Sequence, residues 1–213
     1  MDGTIVNSLP FHKLAWQETF AKRNKGYTEE DFKFSNGRIN EEIIPHFLGN
    51  ALSPEEVKII SREKEATFRR LVKDSIQALP GVVELIESIG KAGFQLAIVS
   101  STPKENIELI TTTLGITKYF SLFINGDDVK EGKPSPQCFL LAANKMGVEP
   151  KNCVVIEDAV VGVRAAKRAG MYCIAVANTT PKEDIAEADF VIDSLEEITV
   201  KTIGELMTSP MKK

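Results

Sequence analysis

The sequence has little cysteine, no excess of basic charge and no long apolar run, and each shortage removes a class of function. Three cysteines, Cys138, Cys153 and Cys173, stand at no metal-binding spacing. Each sits in or beside an apolar stretch, which predicts buried free thiols in a reducing compartment. A net charge of -4 supplies neither a basic surface for nucleic acid nor a polybasic anchor for a membrane. No run reaches the length of a membrane span, and no charged-then-apolar signal segment opens the chain, so the cytoplasm is the expected location. Internal repeats and low-complexity linkers are missing too. What is present is 213 residues, 43% hydrophobic and 26% charged, an ordinary globular composition able to bury a substantial core.

From Gly81 onward, helical and strand patterns alternate. "GVVELIESIGKAG" carries apolar residues at helical spacing and stops at Gly93. "FQLAIVSS" is a short apolar run of the kind a strand covered on both faces requires. "PKENIELITTTLG" suits a helix ending at Gly115, and "SLFINGDD", "PQCFLLAANKMG", "CVVIEDA", "VGVRAAKRAG", "YCIAVAN" and "ADFVID" continue the alternation. The pattern predicts an α/β fold with a doubly wound parallel, Rossmann-like sheet, whose chemistry lies beyond the carboxyl ends of its strands. Residues 8–78 read differently, as helices without a convincing strand, with Ser53-Pro54-Glu55-Glu56 as a capped helix start. The expected organisation is therefore an α/β core of residues 1–7 and 79–213 with a small helical cap of residues 8–78 inserted in it.

Four polar stretches stand at strand ends or loops: Asp2-Gly3-Thr4, Ser100-Ser101-Thr102, Gly132-Lys133-Pro134 and Glu157-Asp158. Alone, each reads as a helix cap or a solvated charge. Together and in this order they suggest phosphoryl transfer. Lys133 and Ser100, with Ser101 beside it, supply the cation and hydroxyl donors that phosphate oxygens need. Glu157 and Asp158 fit the few carboxylates that Mg2+ prefers beside phosphate and water. Asp2 suits protonation of a leaving oxygen followed by activation of water. The nucleophile is missing.

This set resembles the haloacid dehalogenase-like phosphohydrolases, whose first motif is Asp-x-Asp-Gly-Thr. Asp2-Gly3-Thr4 matches its second half, Ser100 the second motif, Lys133 the third, and Glu157 with Asp158 the fourth. "GKPSPQCFLLAANKMGV" and "VVIEDAVVGVRAAKRAGM" are similar to the family almost residue for residue, except that Gln137 replaces the usual aspartate, a change expected to touch only a helix cap. The helical insertion and "PFHKLAW" resemble the β-phosphoglucomutase-like branch, whose cap closes over the active site. The resemblance implies Asp2 as general acid/base with its main-chain carbonyl on Mg2+, Ser100 and Lys133 on the transferring phosphate, and Asp158 assisted by Glu157 at the metal. It also implies a nucleophilic aspartate immediately before Met1, at the end of a strand in the middle of the sheet. On that reading the N-terminus is truncated just after the nucleophile, and residues 1–213 alone are expected to be inactive.

Substrate choice is expected to lie in the cap, at His12, Arg38, Asn40, Lys64 and Arg69. His12 and Lys64 resemble a mutase pair linking cap closure to the acid/base. The alternative is a hinge histidine packed beside Trp16 and a solvated lysine on a charged helix. Asn40 stands where a β-phosphoglucomutase carries an arginine for the non-transferring phosphate, with Arg38 two residues earlier. Trp16 and Phe20 read as cap core, and His46 as structural. The leading expectation is a Mg2+-dependent phosphatase for a small phosphorylated metabolite of the sugar-phosphate kind, acting through a phosphoaspartate. The alternatives are a β-phosphoglucomutase-type isomerase and a non-catalytic phosphate-ligand-binding protein. A monomer is the expected state, since no exposed heptad or long apolar edge is visible.

Overall fold

Local capping decides where several helices begin. In the computed structural model, which describes residues 1–211, the cap comprises α1 (Leu9–Ala21), α2 (Glu29–Ser35), α3 (Asn40–Leu48) and α4 (Pro54–Val72). Ser53 Oγ accepts from the Glu56 amide at 3.3 Å while Glu56 Oε2 accepts from the Ser53 amide at 2.7 Å, a reciprocal cap that starts α4. Thr28 and Asp31 do the same for α2, a helix that apolar periodicity alone passes over. Val57, Ile60, Phe68 and Val72 form the buried stripe of α4. Trp16 and Phe20 stack at 5.0 Å and pack with Tyr27, Ile43 and Ile44 as the cap's own core, as their spacing predicts. Such an aromatic pair contributes about 1 kcal/mol beyond its burial.

The α/β part follows as α5 (Val82–Lys91), β1 (Ala97–Val99), α6 (Lys104–Thr113), β2 (Leu122–Ile124), α7 (Gln137–Met146), β3 (Val154–Glu157), α8 (Val160–Arg168), β4 (Tyr172–Val176), β5 (Phe190–Ile192) and α9 (Val200–Thr208). All its strands pair in parallel. Strand β4 shows why both faces are covered. Ile174 and Val176 join the apolar layer of α5, α6 and α9, whereas Cys173 and Ala175 join that of α7 and α8. Helices on both faces make the fold doubly wound. Cys138 and Cys173 are buried, but Cys153, expected to be buried, is only half-buried, because it precedes β3 at the end of a turn.

The strands form two groups, β1–β2 and β3–β4–β5. Among the described residues, the second edges of β1 and β3 pair with no strand. An apolar cavity of about 440 Å³ lies there, lined among others by Ile98 and Val99 of β1, Val154 and Ile156 of β3, Ile86 and Phe139. Residues 1–8 contribute only isolated bridges, Asp2 with Val6 and Val6 with Ala78. Ile5 and Val6 nevertheless reach the core. Met1 lines both this cavity and a smaller polar one at the carboxyl ends of the strands.

Candidate active site

The small polar cavity, about 70 Å³, is where the four motifs meet. Its floor begins with a tight turn in which the Gly3 amide donates to Val6 O at 2.9 Å and the Ile5 amide to Met1 O at 2.7 Å. Gly3 has φ +71°, and a Cβ there would run into the Asp158 carboxylate. Only glycine lets the backbone pass so close. Asp2 Oδ1 accepts from Ser8 Oγ at 2.5 Å and pairs with His12 Nε2 at 3.2 Å. Burial pushes the Asp2 carboxyl up, but the His12 ring, helped by the Ser8 hydroxyl, holds it well below the usual carboxylate range.

Ser100 follows β1 directly, its amide donating to Ile124 O at 2.9 Å. Its hydroxyl lies 2.9 Å from that of Thr102, while the neighbouring Ser101 hydroxyl donates to Gly37 O of the cap at 2.7 Å. Lys133 reaches in from the loop before α7 and donates to Glu157 Oε1. Burial alone would lower its pKa, and Glu157 instead holds it above the ordinary lysine value. Arg168 Nη1 donates to Pro134 O at 3.1 Å, and Gln137 Oε1 accepts from the Lys130 and Glu131 amides at 2.9 Å each. Gln137 thus closes the loop that carries Lys133, a wider role than the helix cap expected of it.

Glu157 ends β3, and its Oε2 accepts from the amides of Asp158 and Ala159 at 3.1 and 3.3 Å. Burial raises its pKa, and Lys133 brings it below the ordinary glutamate value. Among the described residues, Asp158 forms no salt bridge, and Lys133 is paired with Glu157 instead. Burial and the neighbouring Glu157 push Asp158 up to about 6, although it accepts from Thr4 Oγ1 at 3.0 Å and from the Thr179 hydroxyl. Thr4 belongs to the Asp2-Gly3-Thr4 stretch, whereas Thr179 and Asn178, which donates to Gly3 O at 3.2 Å, lie outside every motif read from the sequence. The Asp-Gly-Thr triplet contained the signal for Thr4, whereas nothing local marks Thr179.

The cap forms the roof. His12 stacks on Phe68 at 3.7 Å, and its Nδ1 lies 2.8 Å from Lys64 Nζ. An ammonium can only donate, so Nδ1 accepts and Nε2 carries the hydrogen that goes to Asp2. Lys64 is 2% exposed, which corrects the alternative of a solvated lysine: the helix face that bears it is turned into the cavity, over Trp16. Asn40 and Arg38 also line the cavity. The Asn40 amide donates to Ser61 Oγ and Glu65 Oε1, both at 2.8 Å, whereas Arg38 pairs with Glu42 at 3.3 Å and lies over Phe34. Arg69 and His46 do not line it. Arg69 bonds Asn106, and His46 stacks on Phe34 at 3.9 Å.

Among the described residues, no three His, Cys, Asp or Glu side chains cluster as a self-sufficient metal site. The donor chemistry still fits magnesium, which binds through one or two carboxylates and takes its other ligands from substrate and water. Asp158 is a buried carboxylate that burial and Glu157 hold above its ordinary value, and the Gly3 turn brings main chain against it.

The haloacid dehalogenase-like hydrolase family profile matches residues 1–170. Validoxylamine A 7'-phosphate phosphatase of Streptomyces hygroscopicus subsp. limoneus is 30% identical over 204 residues, 96% of this chain and 95% of that protein. Hexitol phosphatase A of Escherichia coli (strain K12) is 34% identical over 202 residues, 94% and 91% respectively. The crystal structure of β-phosphoglucomutase from Clostridium difficile superposes with a TM-score of 0.88 at 26% identity, covering 97% of this chain and 93% of that one. Fold, motif order and these matches agree, and the chain belongs to the haloacid dehalogenase-like hydrolases, in their β-phosphoglucomutase-like branch with a helical cap.

Proposed function

We propose that this protein is a magnesium-dependent phosphohydrolase that releases phosphate from a small phosphorylated metabolite of the sugar-phosphate class. One observation carries the reading: Asp2, Ser100, Lys133 and Asp158 line a single small cavity roofed by His12, Lys64 and Arg38. The names of two relatives, hexitol phosphatase A and validoxylamine A 7'-phosphate phosphatase, support a small phosphorylated metabolite as substrate.

In this mechanism Lys133 and the Ser100 hydroxyl hold the phosphate oxygens. Asp158, with Glu157 and the Asp2 carbonyl, would hold magnesium, which supplies charge neutralisation at the phosphate. A carboxylate nucleophile would take the phosphoryl group; Asp2, ionised in the free site, would first take up a proton from solvent, pass it to the leaving oxygen, and then, again a carboxylate, remove a proton from the water that frees phosphate. Oδ1 of Asp2 is occupied by Ser8 and His12, which leaves Oδ2 for this proton traffic. Among the described residues, the carboxylates lining the cavity are Asp2, Glu65, Glu157 and Asp158. Each is engaged in one of the roles or bonds described, so residues 1–213 alone are expected to bind phosphate without turnover.

The second reading, a β-phosphoglucomutase-type isomerase, is favoured by the Asp2–His12–Lys64 chain of contacts. The experiment compares residues 1–213 with the same chain carrying an N-terminal extension, an apolar strand ending in Asp directly before Met1. Phosphate release from sugar phosphates is measured beside conversion of β-glucose 1-phosphate into glucose 6-phosphate. Release without isomer supports the phosphatase, isomer without release supports the mutase, and neither from a folded extended chain overturns both. We place the protein in the cytoplasm as a monomer.

A further inference from the structure

Glu65 is 2% exposed and Asn106 is fully buried, yet they come from different parts of the molecule, α4 of the cap and α6 of the α/β core. Glu65 Oε1 accepts from Lys64 Nζ at 2.7 Å and from Asn40 Nδ2 at 2.8 Å. Glu65 Oε2 accepts from Asn106 Nδ2 at 2.6 Å. Asn106 Oδ1 in turn accepts from Arg69 Nη1 at 2.9 Å, so α4 grips the same amide twice, one helical turn apart. Lys64, held by Glu65, donates to His12, and His12 donates to Asp2. The polar chain therefore leaves the core at Asn106, passes through the cap and returns to the core at Asp2.

We propose that Glu65 and Asn106 are positioning residues, a latch that makes seating of the cap on α6 and alignment of Asp2 by His12 one event. His12, Lys64, Glu65 and Arg69 travel with the cap, whereas Asn106 and Asp2 belong to the core. Lifting the cap breaks the bonds at both ends of the chain together. The core half of the latch is well placed for this, because α6 starts just after the Ser100–Thr102 loop. Apolar contacts of Phe68 and Val72 with Leu109 beside it give the same interface a footing that carries no charge. The inference rests on Asp2 being the acid/base group of the proposed function.

The test uses residues 1–213 without substrate, so that it does not depend on turnover. Nitrogen NMR of His12 reports which ring nitrogen carries hydrogen, and hydrogen exchange at the Gly132 amide, which donates to Glu42 Oε1 of the cap at 3.0 Å, reports cap seating. Asn106→Ala is expected to speed Gly132 exchange about tenfold and to blur the His12 tautomer, with inorganic phosphate affinity within about twofold of the parent. Glu65→Gln, which keeps an acceptor and the shape, is expected to shift both signals less. If Asn106→Ala does not fold, Arg69→Ala removes only the outer grip and is expected to move both signals in the same direction. Unchanged His12 and Gly132 signals in a folded variant overturn the latch. A folded chain with the N-terminal extension that releases no phosphate, its His12 signature intact, overturns the proposed function instead.

Discussion

Lys64 Nζ stands 2.8 Å from Nδ1 of His12 with almost no exposure to solvent, so a lysine on a highly charged helix serves as an interior donor. Its removal strands the buried Glu65 carboxylate. Lys64→Met is therefore expected to cost about 3 kcal/mol of stability in urea unfolding. Lys22→Met, which removes an exposed partner of Glu63, is expected to cost less than about 1 kcal/mol. Equal costs for the two would contradict this assignment of burial.

Lys133→Ala removes the cation expected to face phosphate and also the partner of Glu157. It is expected to abolish inorganic phosphate binding, followed by calorimetry, and to lower stability by about 3 kcal/mol. The double variant Lys133→Met/Glu157→Gln removes both buried charges and is expected to recover most of that stability without recovering phosphate. Phosphate binding by the double variant would show that Lys133 is not a phosphate ligand.

The contribution of Asp158 to stability is expected to fall as pH rises. Between the ordinary aspartate value of 3.8 and about 6, the folded chain keeps a proton that the unfolded chain has released. With fewer protons bound in the unfolded state, the slope of unfolding free energy with pH is negative across that window. Above it the carboxylate is charged and receptive to a cation. Magnesium is expected to raise Tm at about pH 7.5 and to do so much less at about pH 5, and Asp158→Asn is expected to erase the difference. A magnesium effect of equal size at both pH values would remove Asp158 from the metal site.

The facing edges of β1 and β3 border an apolar cavity wide enough to matter for stability. Adding an apolar strand ending in Asp before Met1 is expected to pair both edges, raise the urea midpoint and steepen the transition. A lower or unchanged midpoint would show that the cavity does not admit a strand.

Much of this was legible residue by residue. Gly93 and Gly115 end α5 and α6 in left-handed conformations, and Ser53 starts α4, because caps and turns are settled within a few residues. The motif residues Asp2, Ser100, Lys133 and Asp158 were readable because each sits in or beside a strong strand or turn pattern. Helix α2 and helix α9 were passed over. Both are short and begin at reciprocal caps, Thr28 with Asp31 and Thr199 with Thr202, which are weaker signals than a long apolar stripe.

The sequence by itself determined the alternating α/β pattern, the helical insertion and the order of the motifs, all properties of near neighbours along the chain. Only the tertiary structure decided which polar groups are spent on each other. Thr4 meets Asp158 across 154 positions, Asn106 meets Glu65 across 41, and Lys64 turns inward to meet His12 across 52. Those pairings follow from burial: once folding removes water from a carboxylate or an ammonium, it must find a partner wherever the packed helices bring one.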